Sequence, residues 1–591
     1  MQEVSPAGRN GPGTPPLHSK AGAWPAPRLD QYLHAALAPL TVGVSPVTIA
    51  SAFGDWTQHL ALSPDKQMEL ARKTARLSYQ YADYCWRAWT DPAATQRSGL
   101  PHDRRFTGRV WDIWPFNVLC QGFLTVEHWW QDAATGVHGV SDHHQKIVSF
   151  VLRHWLDMYS PASLPAANPE VLKASVASGG GNLVWGTADF IDDWRRVASG
   201  QPAADEFEVG RNLAATRGKV IFRNHLIELI QYEAATDQVR PEPVLIVPAW
   251  LMKYYILDLA PGKSLVEYLV GEGHTVFMVS WRNPGPEDCD LGLEEYRQQG
   301  IMAALDAVGA VVPGRRIHGA GYCLGGTLLA IAAAAMARDG DDRLASLSLF
   351  AAQTDFAERG ELMLFIDEAQ AAFLEDLMAL EGFLDFRRLT GALRLWRTGD
   401  LIWSGLVRNY LIGERPRVTE YTAWTLDATR LPARMHSEYL RKLILDNDLA
   451  HDRYHAGGRP VSLHDIGVPV FAVSTSADHV APWRSIYGLH AQTGADITFV
   501  LAEGGHNAGI VNPPLSLHRH YRTAGGNDFT AHTTPDGWQA QAPRHDGSWW
   551  PFWQGWLSRH SGAAQHPPGM GAPARGLKPL CDAPGNYVLM R

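Results

Sequence analysis

The segment Gly321-Tyr322-Cys323-Leu324-Gly325-Gly326 constrains this chain more than any other. A short strand-like run, Arg316 to Ala320, precedes it, and an apolar helical run, Leu328 to Arg338, follows. Strand, G-x-nucleophile-x-G and helix is the layout of a nucleophile elbow, here with cysteine where esterases carry serine. The glycines are needed because so tight a strand-to-helix turn leaves no room for Cβ atoms beside the nucleophile. Cys323 would stand at a helix N-terminus, where the dipole favours thiolate over thiol. A string this short also fits a buried cysteine in a glycine-rich turn, so its meaning depends on partners elsewhere.

Those partners are expected in the order nucleophile, acid, histidine. Downstream, the β-like run Val468 to Thr475 ends in Ser476-Ala477-Asp478-His479. A second run, Asp496 to Leu501, leads to Glu503-Gly504-Gly505-His506-Asn507-Ala508-Gly509. Each sets a polar residue just past a strand's C-terminal end, where open α/β sheets carry their sites. Asp478 and His506 are the expected acid and base. Turn chemistry accounts for either alone, but not readily for three candidates in this order. His479 competes for the base role, yet it directly follows the candidate acid, which makes a mutual hydrogen bond awkward. It ranks second, as a pocket-lining residue.

Strand-like runs at Val244 to Val247, Thr275 to Ser280, Arg316 to Ala320, Leu344 to Ala351, Val468 to Ser474 and Ile497 to Leu501 alternate with helical patterns. Such alternation predicts a mostly parallel sheet, and with the elbow an α/β-hydrolase fold over residues 206–591. Over a hundred residues, mostly helical in pattern, separate the strand ending near Ala352 from the one starting near Val468. An insertion there, about residues 357–460, predicts a helical cap acting as a mobile lid; the alternative is an extra packing layer without gating. Residues 29–205 read as a helical N-terminal domain. Within it Ser63-Pro64-Asp65 supplies an N-cap, an N1 proline and a first-turn acid for a helix running toward Trp86, and Ser178 to Gly181 breaks a later one. Residues 1–28, rich in Pro and Gly, predict a disordered tail with no apolar signal-peptide core.

Composition narrows the functional classes. A net charge of −9 with short, scattered basic clusters argues against nucleic-acid binding. The five cysteines are widely spaced, without a C-x-x-C pair, which argues against a disulfide framework or a zinc site and fits a reducing cytoplasm. The run Leu328 to Ala337 is too short to span a bilayer, so no transmembrane segment is expected. Among 22 tryptophans, Trp549, Trp550, Trp553 and Trp556 are candidates for an apolar surface near the C-terminus.

Around the triad candidates the chain strongly resembles class I polyhydroxyalkanoate synthases, enzymes that polymerise 3-hydroxyacyl-CoA into polyester. Matching strings are Asp103-Arg104-Arg105-Phe106, Phe207 to Asn212, Lys253 to Leu259, Ser280-Trp281-Arg282-Asn283-Pro284 and Gly321 to Gly326. They continue with Asp478 to Trp483, Gly505 to Pro514, His545 to Pro551 and Pro584 to Val588. The resemblance runs from about residue 30 onward. Two stretches depart from the family pattern: Pro248-Ala249-Trp250-Leu251-Met252 replaces a Pro-Pro stretch leading to Ile-Asn, and Arg397-Thr398-Gly399-Asp400 replaces Arg-Pro-Asn-Asp. Neither touches the triad, so they bear on substrate preference rather than chemistry.

The resemblance implies an acyltransferase that converts (R)-3-hydroxyacyl-CoA, with 3-hydroxybutyryl-CoA the expected monomer, into polyhydroxyalkanoate. CoA is part of the substrate, and no cofactor or metal is expected. Cysteine suits a thioester substrate, because thiol exchange is nearly neutral thermodynamically. The backbone N–H of Leu324 is the first expected oxyanion donor, and a second should come from around Ala249 or Trp250. Asp258 and Trp424 fall in family-like stretches and are secondary pocket candidates with an expected structural role. The resemblance further implies a homodimer, a cytoplasmic location at the granule surface, and contact with the growing polyester. A polyester depolymerase and a non-catalytic granule-coating protein are the competing readings; the synthase-like N-terminal region opposes the first and the retained triad opposes the second.

Overall fold

The strand segments 227–232, 244–247, 276–281, 317–322 and 470–475 are buried along their whole length, so each needs cover on both faces. The computed structural model describes residues 28–41, 43–91, 103–199, 206–385, 405–415, 417–516, 518–525 and 533–591. The expected tail before Arg28, the Arg397 to Asp400 departure and part of the expected lid lie outside them. Among the described residues, eleven strands form one sheet. They are β1 (Gly218–Arg223), β2 (Ile227–Tyr232), β3 (Val244–Val247), β4 (Val276–Trp281), β5 (Ile317–Tyr322) and β6 (Leu344–Phe350), followed by β7 (Val470–Thr475), β8 (Ile497–Ala502), β9 (His520–Gly525), β10 (Arg544–Asp546) and β11 (Cys581–Asp582).

The sheet order is β11-β1-β2-β4-β3-β5-β6-β7-β8-β9-β10. The six strands from β4 to β8 in that order are parallel, and the flanking pairs are antiparallel. This is the expected α/β-hydrolase sheet. Its strand order reverses at β3, whose successors β4 and β5 lie on opposite sides of it. Loops leaving the ends of β3 and β5 diverge there and open a crevice. The flanking hairpin β1–β2 and the strands β9 to β11 carry no expectation from the sequence; they are short or paired antiparallel at the edges.

Seven helices precede the sheet among the described residues: α1 (Leu29–Leu37), α2 (Pro46–Ala61), α3 (Pro64–Thr90), α4 (Phe116–Ala134), α5 (Asp142–Met158), α6 (Pro169–Ala177) and α7 (Gly181–Ser199). Ser63 occupies the N-cap position of α3, but its hydroxyl donates to His59 O at 2.7 Å and leaves the first turn uncapped. The expected capping bond fails because the end of α2 offers a carbonyl within reach. Between α6 and α7 the chain turns at Gly179 and Gly180, both with positive φ (59° and 85°). The Asp103-Arg104-Arg105-Phe106 string is structural: the Arg105 guanidinium pairs with Asp103, Glu127 and Asp157, and Phe106 packs at 4.9 Å from Trp111. Four groups that could not be buried singly are buried together.

The elbow helix α8 (Leu324–Asp339) lies against β5 and β6, and α9 (Glu368–Glu381) opens the insertion between β6 and β7. The N-terminal region docks on α9. Gln370 Oε1 accepts from Ser45 N at 2.7 Å, its Nε2 donates to Gly43 O at 2.9 Å, and Thr48 Oγ1 donates to Asp367 Oδ1 at 2.8 Å. Gln370→Leu leaves a buried N–H and a buried carbonyl without partners, an expected loss of about 1–3 kcal/mol. Urea denaturation should register that loss, and hydrogen exchange should place it at Ser45; protection at Ser45 equal to the parent's would contradict the clip.

Candidate active site

Cys323 follows β5 directly and begins α8 with φ 51° and ψ −128°. That backbone is strained for a residue with a Cβ, and its N–H is tied to Phe350 O at 2.8 Å. The glycines around it have no substitute. A Cβ on Gly321 would lie 2.3 Å from Gly326 Cα, and one on Gly325 would lie 2.3 Å from Pro248 O. The Leu324 N–H, in the first turn of α8, has no intrahelical acceptor. Helix α8 starts four residues before the expected Leu328, because the glycine pair belongs to its first turn.

Asp478 follows β7 and His506 follows β8, so all three candidates stand at carboxyl ends of parallel strands. His506 Nδ1 donates to Asp478 Oδ2 at 2.8 Å. The carboxylate also accepts from Thr475 Oγ1 at 3.1 Å and from the Val480 and Ala481 N–H groups, each at 2.9 Å. Burial alone would raise its pKa, but the His506 charge and these donors outweigh it and hold the carboxyl below its usual range. Burial alone would lower the pKa of His506; Asp478 and Cys323, by charge and by hydrogen bond, instead push it up to about 10. The structure therefore pairs His506 with Asp478 and sets both at the strand ends beside Cys323.

The loop carrying His506 is held from behind. Trp549 Nε1 donates to Gly509 O at 3.0 Å and Trp550 Nε1 to Ile510 O at 2.9 Å. Trp549, Trp550, Trp553 and Trp556 form no apolar surface as expected; all four are buried, and Trp553 Nε1 reaches Ser348 Oγ at 2.9 Å. They lie on or beside helix α11 (Trp550–Arg559), which packs against the sheet and supports the base.

The segment after β3 is fixed through its carbonyls. Trp281 Nε1 donates to Pro248 O, Thr429 Oγ1 to Trp250 O and Trp424 Nε1 to Lys253 O, each at 2.8 Å. Trp250, Leu251, Cys323 and Leu324 then line one cavity of about 120 Å³. Its walls are mostly apolar and come largely from the insertion, with Met363, Phe365, Leu374 and Leu440 prominent. Gly43 and Val44 of the N-terminal region complete the wall.

The other candidates fall elsewhere. Among the described residues lining the cavity, Val480 and Ala481 take the place expected for His479, whose carbonyl accepts from Glu361 N at 2.8 Å. Trp424 braces the loop rather than lining the pocket, and the Ala249 side chain is buried outside the cavity lining, next to Trp250 in the braced segment. Asp258 is remote from the cavity: it accepts from Thr216 and Ser264 hydroxyls inside the core, and burial pushes its pKa up to about 6. A structural role for Asp258 and Trp424 follows from these bonds. The bracing residues Trp281, Thr429, Trp549 and Trp550 escape sequence reasoning, although Trp281, Trp549 and Trp550 lie in the strings that carry the family resemblance.

Comparison with known proteins bears on the family and the fold. Residues 102–269 match the family described as poly-beta-hydroxybutyrate polymerase (PhaC) N-terminus, and residues 25–66 match a second N-terminal family of the same polymerases. Residues 242–513 match the alpha/beta hydrolase fold. The poly(3-hydroxyalkanoate) polymerase of Methylorubrum extorquens is 38% identical over 499 residues, 83% of this chain and 81% of that protein. The chain belongs to the poly(3-hydroxyalkanoate) polymerase family. The polymerase subunit PhaC of Rhizobium meliloti is 34% identical over 96% of this chain and 94% of its own length. Among solved structures, a monoacylglycerol lipase of Paleococcus ferrophilus matches 47% of this chain and 90% of its own at 14% identity and TM-score 0.29. The polymerase N-terminal match runs from the Arg105 cluster through β3 and the braced loop, so the family signature spans both the helical region and the sheet.

Proposed function

We propose that this chain is an acyltransferase that polymerises (R)-3-hydroxyacyl-CoA, with 3-hydroxybutyryl-CoA the expected monomer, into polyhydroxyalkanoate with release of CoA. The observation that carries the reading is the Cys323–His506–Asp478 set opening on an apolar cavity in a chain of this family. With the proton held on His506, Cys323 reacts as the thiolate and attacks the thioester carbonyl. The developing oxyanion is met by the Leu324 N–H, with Ala249 or Trp250 supplying a second donor; such a donor typically contributes about 3 kcal/mol. Collapse of the adduct breaks the carbonyl–sulfur bond to CoA, whose thiolate takes the His506 proton and departs.

Acylation removes the negative sulfur that helped keep His506 protonated, so the neutral imidazole becomes available as a base. It accepts the proton of a second unit's 3-hydroxyl as that oxygen attacks acyl-Cys323, forming the ester and regenerating the thiolate. Asp478 stabilises the imidazolium in both half-reactions. Water in place of the hydroxyl would give hydrolysis. An insertion acting as a lid gives polymerisation its advantage by excluding water.

An insoluble product covalently held on Cys323 would carry the enzyme to a granule surface in the cytoplasm. Exposed Trp86, Trp89, Trp155, Trp185 and Trp194 on the N-terminal helices support such attachment and association as a homodimer. Among the described residues no helix is long and apolar enough to cross a membrane.

Assaying CoA release together with polymer formation from 3-hydroxybutyryl-CoA tests the reading; CoA release without polymer would make the chain a hydrolase. Trp281→Phe keeps an aromatic ring, smaller than the indole, and removes the N–H that holds Pro248 O. It is expected to lower kcat about tenfold with little change in KM, because a loosened loop misplaces an oxyanion donor. A rise in KM alone would mean that the brace serves substrate binding.

A further inference from the structure

The cavity beside Cys323 contains few polar side chains, and nearly all are engaged by the protein itself. Thr327 Oγ1 donates to Gln353 O at 2.7 Å, and Gln353 Nε2 donates to Ser485 Oγ at 3.0 Å. Both ends of the Gln370 amide are taken by Ser45 and Gly43. Cys323 is the reacting group itself, and the Tyr439 hydroxyl contacts Met363 Sδ at 4.0 Å. Besides the Trp250 indole N–H, the exception is His436. It lies on the cavity wall in helix α10 (Ala433–Glu438), is only 7% exposed, and has no hydrogen-bond partner among the described residues. Burial pulls its pKa down to about 4, so at neutral pH it offers one donor and one acceptor nitrogen.

The position of that imidazole is informative. Tyr439, one turn further along, lines the same cavity as Cys323, and its ring centroid lies 6.0 Å from that of His436. The same helical stretch thus faces the nucleophile. A 3-hydroxyacyl group entering this cavity brings two polar features, the thioester carbonyl and the oxygen on C3. The first is served by the donors at the elbow. The second would otherwise be buried against Phe356, Met363 and Leu440 with nothing to bond.

We propose that His436 hydrogen-bonds the C3 oxygen of the acyl unit at Cys323, and that this contact selects 3-hydroxyacyl over plain acyl thioesters. The inference rests on the function proposed above and adds the residue that recognises the hydroxyl. A site built to bond a substrate hydroxyl discriminates against the analogue that lacks it, because its own polar group is then left unpaired.

Single-turnover CoA release from (R)-3-hydroxybutyryl-CoA and from butyryl-CoA provides the test, with the ratio of the two acylation efficiencies as readout. The parent should favour the hydroxy thioester. His436→Phe keeps a flat ring without nitrogens and should collapse that ratio by roughly tenfold to a hundredfold. His436→Leu serves as a second apolar variant if the larger ring disturbs the helix. His436→Gln, which keeps a donor and an acceptor, should recover part of the preference. An unchanged ratio in the apolar variants, or equal loss with both thioesters, would overturn the role of His436. A parent protein that releases no CoA from either thioester would overturn the proposed function instead, which is a different failure.

Discussion

Cys323→Ala is expected to eliminate CoA release and polymer formation, by about 10,000-fold or more, while leaving the fold intact. The sulfur is partly exposed at the cavity, so its removal empties little packing, and alanine accepts the positive φ no worse than cysteine does. Far-UV circular dichroism and the urea midpoint should stay close to the parent's. Cys323→Ser should also be nearly inactive, because a hydroxyl gives up its proton far less readily to an imidazole matched to a thiol. Near-normal turnover in the serine variant would contradict the thiol-exchange argument. A radiolabelled acyl group recovered on any residue other than Cys323 would remove the elbow from the mechanism.

His506→Gln should lose acylation and chain growth together, since one imidazole holds the proton in both half-reactions. Asp478→Asn should separate them. Cys323 would still be acylated slowly, but elongation would stall, because a hydroxyl nucleophile depends on the base more than a thiol does. Equal loss of both steps would reduce Asp478 to orienting His506. The ion pair also predicts a pH dependence of stability. The folded pKa of His506 is raised to about 10, so its contribution is complete below the ordinary histidine value of about 6.5 and lost as pH rises through 10. The folded pKa of Asp478 is lowered, so its contribution is present above the ordinary carboxylate value of about 3.9 and lost as pH falls below it. The stability difference between the parent and Asp478→Asn should therefore be largest at mildly acidic pH and shrink toward pH 10. Urea titrations across that range check the sign; a difference that grew with pH would refute the pairing.

The six central strands were legible in sequence to within two residues at each end, because a strand buried on both faces must be a continuous apolar run. The placement of Cys323, Asp478 and His506 at the carboxyl ends of strands was legible because each follows such a run within a few residues. What sequence could not disclose is which face of a side chain matters. Trp549 and Trp550 look like a hydrophobic patch until their indole N–H groups are seen on the carbonyls behind His506. Ser63 has the right spacing for a cap, yet a nearer carbonyl takes its hydroxyl. The wall formed by Gly43 and Val44 depends on Gln370, 325 residues beyond Ser45, and no local pattern encodes a contact of that range.

The clamp of Trp549 and Trp550 on the His506 loop also bears on how a reactive thiol is made safely. Translation delivers Cys323 first, Asp478 and His506 long afterwards, and the two indoles later still. A nascent chain therefore carries the thiol without its base, and then the base without its support. Acyl-CoA met during synthesis finds a cysteine without its base, and reactivity arises only when helix α11 seats against the sheet.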